Sequence, residues 1–192
     1  TLGADCGIGI AAQMVLLESE EFIHGPMECL FTVDEESGMT GARLLKPDFL
    51  AGRILLNLDS EDEGELFIGC AGGIDTIGTF RFDAGKPANT SIAYKVVVEG
   101  LKGGHSGDEI HISHGNPIKI LNRFLLDAGK EFSIRLAVFD GGNMRNAIPR
   151  DAFAVISLPV TDKSGFEACF KDFSSAINTE LKDHEPGMIL GL

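Results

Sequence analysis

Basic charge is scarce in this 192-residue sequence: 16 Lys and Arg face 29 Asp and Glu, for a formal net charge of -13. Such a chain repels polyphosphate and offers no basic stripe, which argues against nucleic-acid binding. Long apolar runs are missing as well. None approaches the roughly 18 to 20 residues of a membrane span, so a soluble protein with no membrane partner is expected. Paired cysteines are absent too, since Cys6, Cys29, Cys70 and Cys169 stand far apart with no CxxC. Cys29, Cys70 and Cys169 read as free thiols in the core, and this usage fits a reducing, cytoplasmic compartment better than secretion. There is no initiator Met, signal peptide or polar lead-in: "TLGADCGIGIAAQMVLL" opens inside an apolar, helix-like pattern, and "EPGMILGL" stops in an apolar run. Both ends read as cuts through a longer chain.

What is present can build a core, because 44% of the residues are hydrophobic and the length suits one large domain or two small ones. From position 5, "DCGIGIAAQMVLLESEE" reads as a glycine-rich turn entering a helix. "GPMECLFTVDEE" reads as a buried strand running into a loop, and a short helix is expected near "MTGARLL". "RILLNLDSEDEGE" repeats the strand-then-acids arrangement, and "ELFIGCAGGIDTIGTFRF" suggests further strands broken by Gly72 and Gly73. "DAGKPANT", residues 83–90, is the linker candidate, dividing a partial α/β domain (1–89) from a second domain (90–192). Beyond it, strand patterns in "SIAYKVVVEGL", "FSIRLAVFDGG" and "DAFAVISLPV" alternate with helical patterns in "NPIKILNRFLLDAG" and over roughly 163–183. The order β-α-β-β-α is that of a ferredoxin-like α+β layer, with a last strand to begin in "MILGL".

The chemistry-bearing feature is acidic. In an open α/β sheet ligands bind beyond the carboxyl ends of the strands, where Asp5, Glu35, Glu36 and Asp59 would converge. Clustered carboxylates repel one another unless a counter-charge is present, and a divalent metal pair would supply it. Zinc accepts carboxylate oxygens but usually also takes His, and no His is near these acids in sequence. The other reading, solvated loops and helix caps, stands beside it. "GADCGIG" lacks both the full GxGxxG and a preceding strand, which argues against a nucleotide loop.

Five motifs in order, "LGADCGIG", "FTVDEESGMTGA", "LNLDSEDEGE", "GLKGGHSG" and "RNAIPR", closely resemble the aminoacyl-histidine dipeptidases (Xaa-His dipeptidase, carnosinase-like). These are di-zinc metallopeptidases related to aminoacylases and carboxypeptidase G. The resemblance implies an α/β catalytic domain followed by a ferredoxin-like lid that can form a homodimer, with a small dipeptide as substrate. It also implies two zinc ions, for which Co or Mn could stand in. By the same resemblance Asp5 matches the carboxylate bridging the metals, Glu36 a ligand of one and Asp59 a ligand of the other. Glu35 matches the general base, and His105 a lid histidine that polarises the substrate carbonyl. Asn146 matches a lid residue that holds substrate, while Arg145 and Arg150 are plausible partners for a peptide carboxylate. Cys6 stands where the family more commonly has Asn, as a packed neighbour of the site or an altered ligand. The family's HxD motif and late His ligand have no counterpart among His24, His105, His111, His114 and His184. These 192 residues are therefore expected to bind zinc weakly and to hydrolyse nothing alone. An aminoacylase or other exopeptidase, and a non-catalytic dimerisation module, are the rival readings.

Overall fold

The computed structural model describes residues 6–36, 38–60 and 62–192. The chain divides into two compact units, Thr1–Ile77 and Gly78–Leu192.

In the first unit, α1 (Gly7–Glu18) and the one-turn α2 (Thr40–Arg43) stand where helices are expected. The strands expected in "GPMECLFTVDEE", "RILLNLDSEDEGE" and "ELFIGCAGGIDTIGTFRF" do not form: the described residues of these segments contain no strand. A strand exists only through the ladder it makes with a neighbour, and strands of the doubly buried kind need covering on both faces. These segments have neither, which leaves Ile54 at 87%, Leu56 at 80% and Ile68 at 105% relative exposure. Cys70 is likewise exposed, against its expected place in a core, whereas Cys29 and Cys169 are half-buried.

The second unit carries β1 (Ser91–Glu99), β2 (Gly104–His105), α3 (Pro117–Glu131), β3 (Arg135–Gly141), β4 (Ala147–Ile148), β5 (Ala152–Pro159), α4 (Lys163–Leu181) and β6 (Ile189–Gly191). Four strands form one sheet in the order β3-β5-β1-β6 with every neighbouring pair antiparallel. This is the ferredoxin-like arrangement, and its last strand falls in "MILGL" as expected. Strict alternation puts Ala152, Ala154, Ile156 and Leu158 of β5 on one face, joined by Val96 and Val98 of β1, all buried. Both helices cover that face. α3 is capped by Asn116, whose Oδ1 accepts from Lys119 N at 3.2 Å, and Pro117 occupies its first turn, where a missing N–H costs nothing. Its buried residues Pro117, Ile120, Leu121, Phe124 and Ala128 recur at helical spacing. Phe124 packs at 5.3 to 5.5 Å between ring centroids against Phe166, Phe170 and Phe173 of α4. Arg123 of α3 is joined to Glu180 of α4 by contacts of 2.9 and 3.0 Å.

This sheet also positions the site. Because β1 and β5 are antiparallel, with Val98 opposite Ala152, the segment leaving β1 and the segment entering β5 lie at the same end. There β2 and β4 pair as a short second ribbon, Gly104 with Ile148 and His105 with Ala147.

Candidate functional site

Two clefts, one in each unit, hold several of the residues singled out by the sequence. The first, about 210 Å³, lies in the N-terminal unit and is lined by Glu35, Asp59, Cys6, Asn57 and the start of α1. A turn prepares Glu35. Asp34 takes a left-handed backbone (φ 62°), its carboxylate accepts from Thr40 Oγ1 at 2.8 Å, and the Asp34 and Glu35 carbonyls accept from Met39 N at 2.7 and 3.1 Å. The turn lets adjacent residues diverge: Glu35 lines the cleft and Glu36 is not among its lining residues. Asp59 enters after an Asn57 side chain that accepts its N–H at 3.2 Å. Cys6 donates from Sγ to Leu58 O at 3.3 Å, lies beside Gly9, and lines the same cleft as Glu35 and Asp59. Asp5, expected to bridge two metals, lies outside the described residues.

Zinc binding can be tested on the donor set. Among the described residues no three His, Cys, Asp or Glu side chains converge as a metal cage. Two carboxylates in one cleft fall short of the four donors a closed zinc site requires. The described residues do not by themselves fit a metal pair.

The second cleft, about 670 Å³, lies within the C-terminal unit at the β2/β4 ribbon. His105, Asn146 and Arg150 line it, together with Lys102, Asp140 and Asp151. Thus two segments some forty residues apart bring the GGHSG and RNAIPR motifs to one place, and Ser106 N donates to Asn146 O at 2.9 Å to tie them. Arg150 is braced by donating from Nε to Leu101 O at 3.3 Å. Arg145 is exposed and is not among the lining residues. His24, His111 and His184 are exposed and line neither cleft. His114 has a local task, its Nδ1 lying 2.6 Å from Gly103 O.

Sequence reasoning missed Lys102, which lines the cleft, and two acids that hold its walls. Glu185, only 2% exposed, accepts from Lys102 N at 2.8 Å and from Gly115 N at 2.7 Å. Glu109 accepts from His105 N at 2.7 Å. Glu109 lies four residues after His105 in "HSGDE", and that spacing is a signal the sequence does carry. Glu185 is separated by 70 and 83 residues from its donors, and no local pattern marks it.

Residues 96–185, within the second unit, match the family model of the peptidase dimerisation domain, M20_dimer. The relation extends along the chain: it is 43% identical over 190 residues to cytosol non-specific dipeptidase of Escherichia coli (strain K12), covering 99% of this chain and 39% of that protein. The crystal structure of aminoacylhistidine dipeptidase from Vibrio alginolyticus, 41% identical, matches 100% of this chain and 39% of its own, with a TM-score of 0.68. The chain therefore spans about two fifths of the length of these relatives. The five motifs that carry the resemblance lie within an alignment that spans 99% of this chain. The ferredoxin-like arrangement expected beyond the linker is that of the second unit, within which the family match falls.

Proposed function

We propose that these residues form part of a metal-dependent dipeptidase acting on unblocked dipeptides of the Xaa-His type. Residues 1–89 would contribute to its catalytic domain, and residues 90–192 would be its lid. The observation that carries this reading is the meeting of His105 and Asn146, from two separate motifs, at one cleft of a peptidase dimerisation domain. Similarity to two dipeptidases over essentially the whole chain supports it.

In this reading two zinc ions, or Co or Mn in their place, would supply Lewis acidity, with Asp5, Glu36 and Asp59 among their ligands. Histidines beyond these 192 residues would complete the donor set. Glu35 would take a proton from the attacking water and pass it to the leaving amine. His105 would donate to the substrate carbonyl oxygen as negative charge develops there. Asn146 would hold the substrate, with Arg145 and Arg150 as candidates for its carboxylate. The protein would act in the cytoplasm, in keeping with the cytosolic name of its bacterial relative. No helix among the described residues is long and apolar enough to cross a membrane.

A panel of dipeptides and N-acylated amino acids, given to the full-length protein with and without added zinc, tests this reading. Metal-dependent cleavage of dipeptides is expected, and preference for N-acyl substrates would favour an aminoacylase instead. Glu35→Gln should lower kcat on the order of a hundredfold or more, and His105→Ala by about a hundredfold. The 192-residue chain alone is expected to show no zinc-dependent hydrolysis of carnosine, and measurable turnover would overturn that part.

One observation favours a second reading, a non-catalytic dimerisation module. The C-terminal unit has a complete sheet and core, and its edge strand β3 exposes Leu136 and Val138. Such an edge can pair with another copy. A metal-independent dimer of the full-length protein with no peptidase activity would select the module, and an active dimer the enzyme.

A further inference from the structure

His105 is held by its own turn in a way that selects one ring tautomer. Its Nδ1 lies 3.2 Å from Gly107 N and 3.0 Å from Asp108 N, and both backbone amides point their hydrogens at it. A backbone amide can only donate, so Nδ1 has to be the accepting nitrogen. In the neutral ring the proton then resides on Nε2.

A competing arrangement is present in the same turn. The Asp108 carboxylate lies 3.2 Å from Nδ1 and would accept a proton placed there. The two cannot both hold in a neutral ring, and the backbone prevails for a mechanical reason. Asp108 is 90% exposed and can swing into water at little cost. The amides of Gly107 and Asp108 cannot turn away without undoing the turn, in which Glu109 N donates to His105 O at 3.2 Å and Ile110 N to Gly107 O at 3.4 Å.

The backbone of His105 is fixed from the other side by Glu109, whose Oε2 accepts the His105 N–H at 2.7 Å. That approach is built into the motif. Gly104 has a φ of +143°, and a Cβ there would come within 2.7 Å of the same Glu109 oxygen and 3.3 Å of His114 Nδ1. The second glycine of GGHSG thus makes room for the carboxylate that holds the histidine.

We propose that the Ser106–Glu109 turn sets His105 as the Nε2–H tautomer, a hydrogen-bond donor at the cleft, and that Glu109 is its positioning residue. The tautomer assignment stands on the turn alone. Its catalytic consequence rests on the dipeptidase reading, in which a donor is what the substrate carbonyl requires.

Long-range proton–nitrogen correlation spectra of the ¹⁵N-histidine-labelled 192-residue chain test it without substrate. His105→Asn identifies the His105 signals among the five histidines. With the ring neutral, a pyridine-type Nδ1 and a pyrrole-type Nε2 are expected, unchanged in Asp108→Asn. A protonated Nδ1, or the averaged shifts of a free histidine, would overturn the proposal whether or not the protein is a peptidase. Glu109→Ala should move the ring toward averaged shifts, whereas Glu109→Gln, which keeps an acceptor, should restore the single tautomer. In the full-length enzyme Glu109→Ala should lower kcat about tenfold with little change in KM, and Glu109→Gln should recover most of it. A Glu109→Ala chain that melts earlier but keeps the tautomer would make Glu109 merely structural and refute its positioning role. Undiminished dipeptide cleavage by full-length His105→Ala would instead refute the catalytic role of His105, and no dipeptide cleavage by the unaltered full-length protein would refute the dipeptidase reading, with the tautomer in both cases still decided by the spectra.

Discussion

Glu185 shows how a single side chain can organise a site it does not touch. Its two carboxylate oxygens satisfy Lys102 N at the start of the GGHSG loop and Gly115 N just before the cap of α3. The carboxylate is thus a clamp between the loop carrying His105 and the helix beneath it. Glu185→Ala strands both donors, and a buried unsatisfied donor costs roughly 1 to 3 kcal/mol. A loss of about 3 kcal/mol is expected, measured as a lower urea midpoint with unchanged slope. Glu185→Gln should lose less, since one acceptor survives. Tyr94 makes a different kind of claim. Burial, then the hydrogen bond to Glu167 and that residue's charge, push its phenol up to about 12. Below the unfolded value near 10 both states keep the proton and the stabilisation is complete. As pH rises from about 10 to 12 the unfolded chain ionises first, so this stabilisation is lost across that window. Tyr94→Phe should therefore flatten the fall of the urea midpoint between these pH values, and an equally steep fall would refute the assignment.

Among the elements, α3 is the one on which the second unit depends. Its apolar stripe carries one ring of the aromatic cluster, Phe124, which is at the centre with centroids of three α4 rings within 5.5 Å. Truncation there leaves a cavity bounded by both helices and the sheet. Phe124→Ala should cost about 3 to 5 kcal/mol, read by chemical denaturation. By contrast Asn116→Ala, which removes only the cap bond to Lys119 N, should cost about 1 kcal/mol. The sheet itself is easy to read in the sequence, because β5 alternates buried and half-buried residues from Ala152 to Pro159 without exception. β2 and β4 leave no such trace. Each is two residues long, and they exist only because the larger sheet brings Gly104 opposite Ile148.

At the scale of the whole molecule the two units differ in kind. The C-terminal one closes a sheet over two helices, while the described residues of the N-terminal one contain helices but no ladder. Amide exchange should reflect this: β1 and β5 protected to near the global limit, residues 52–60 and 62–77 exchanging close to the unprotected rate. Strong protection in the latter segments would show pairing that the structure lacks. The N-terminal strand patterns in the sequence are real as patterns. They specify which residues would be buried, but a ladder also needs neighbours, and a local pattern cannot provide them. Acids ending two apolar runs led to the expectation that Asp5, Glu35, Glu36 and Asp59 would converge; Glu35 and Asp59 line one cleft, whereas Glu36, beyond the turn begun at Asp34, does not line it. By itself the sequence determined what periodicity and short motifs encode: the two long helices and the four main-sheet strands of the second unit, their ferredoxin-like order, and the peptidase resemblance. Only the tertiary structure decided which distant groups meet, namely Glu185 with Lys102 and Gly115, and GGHSG with RNAIPR. Contacts across 40 to 80 residues depend on how antiparallel strands return their ends to one side of a sheet, and no local stretch of chain records that.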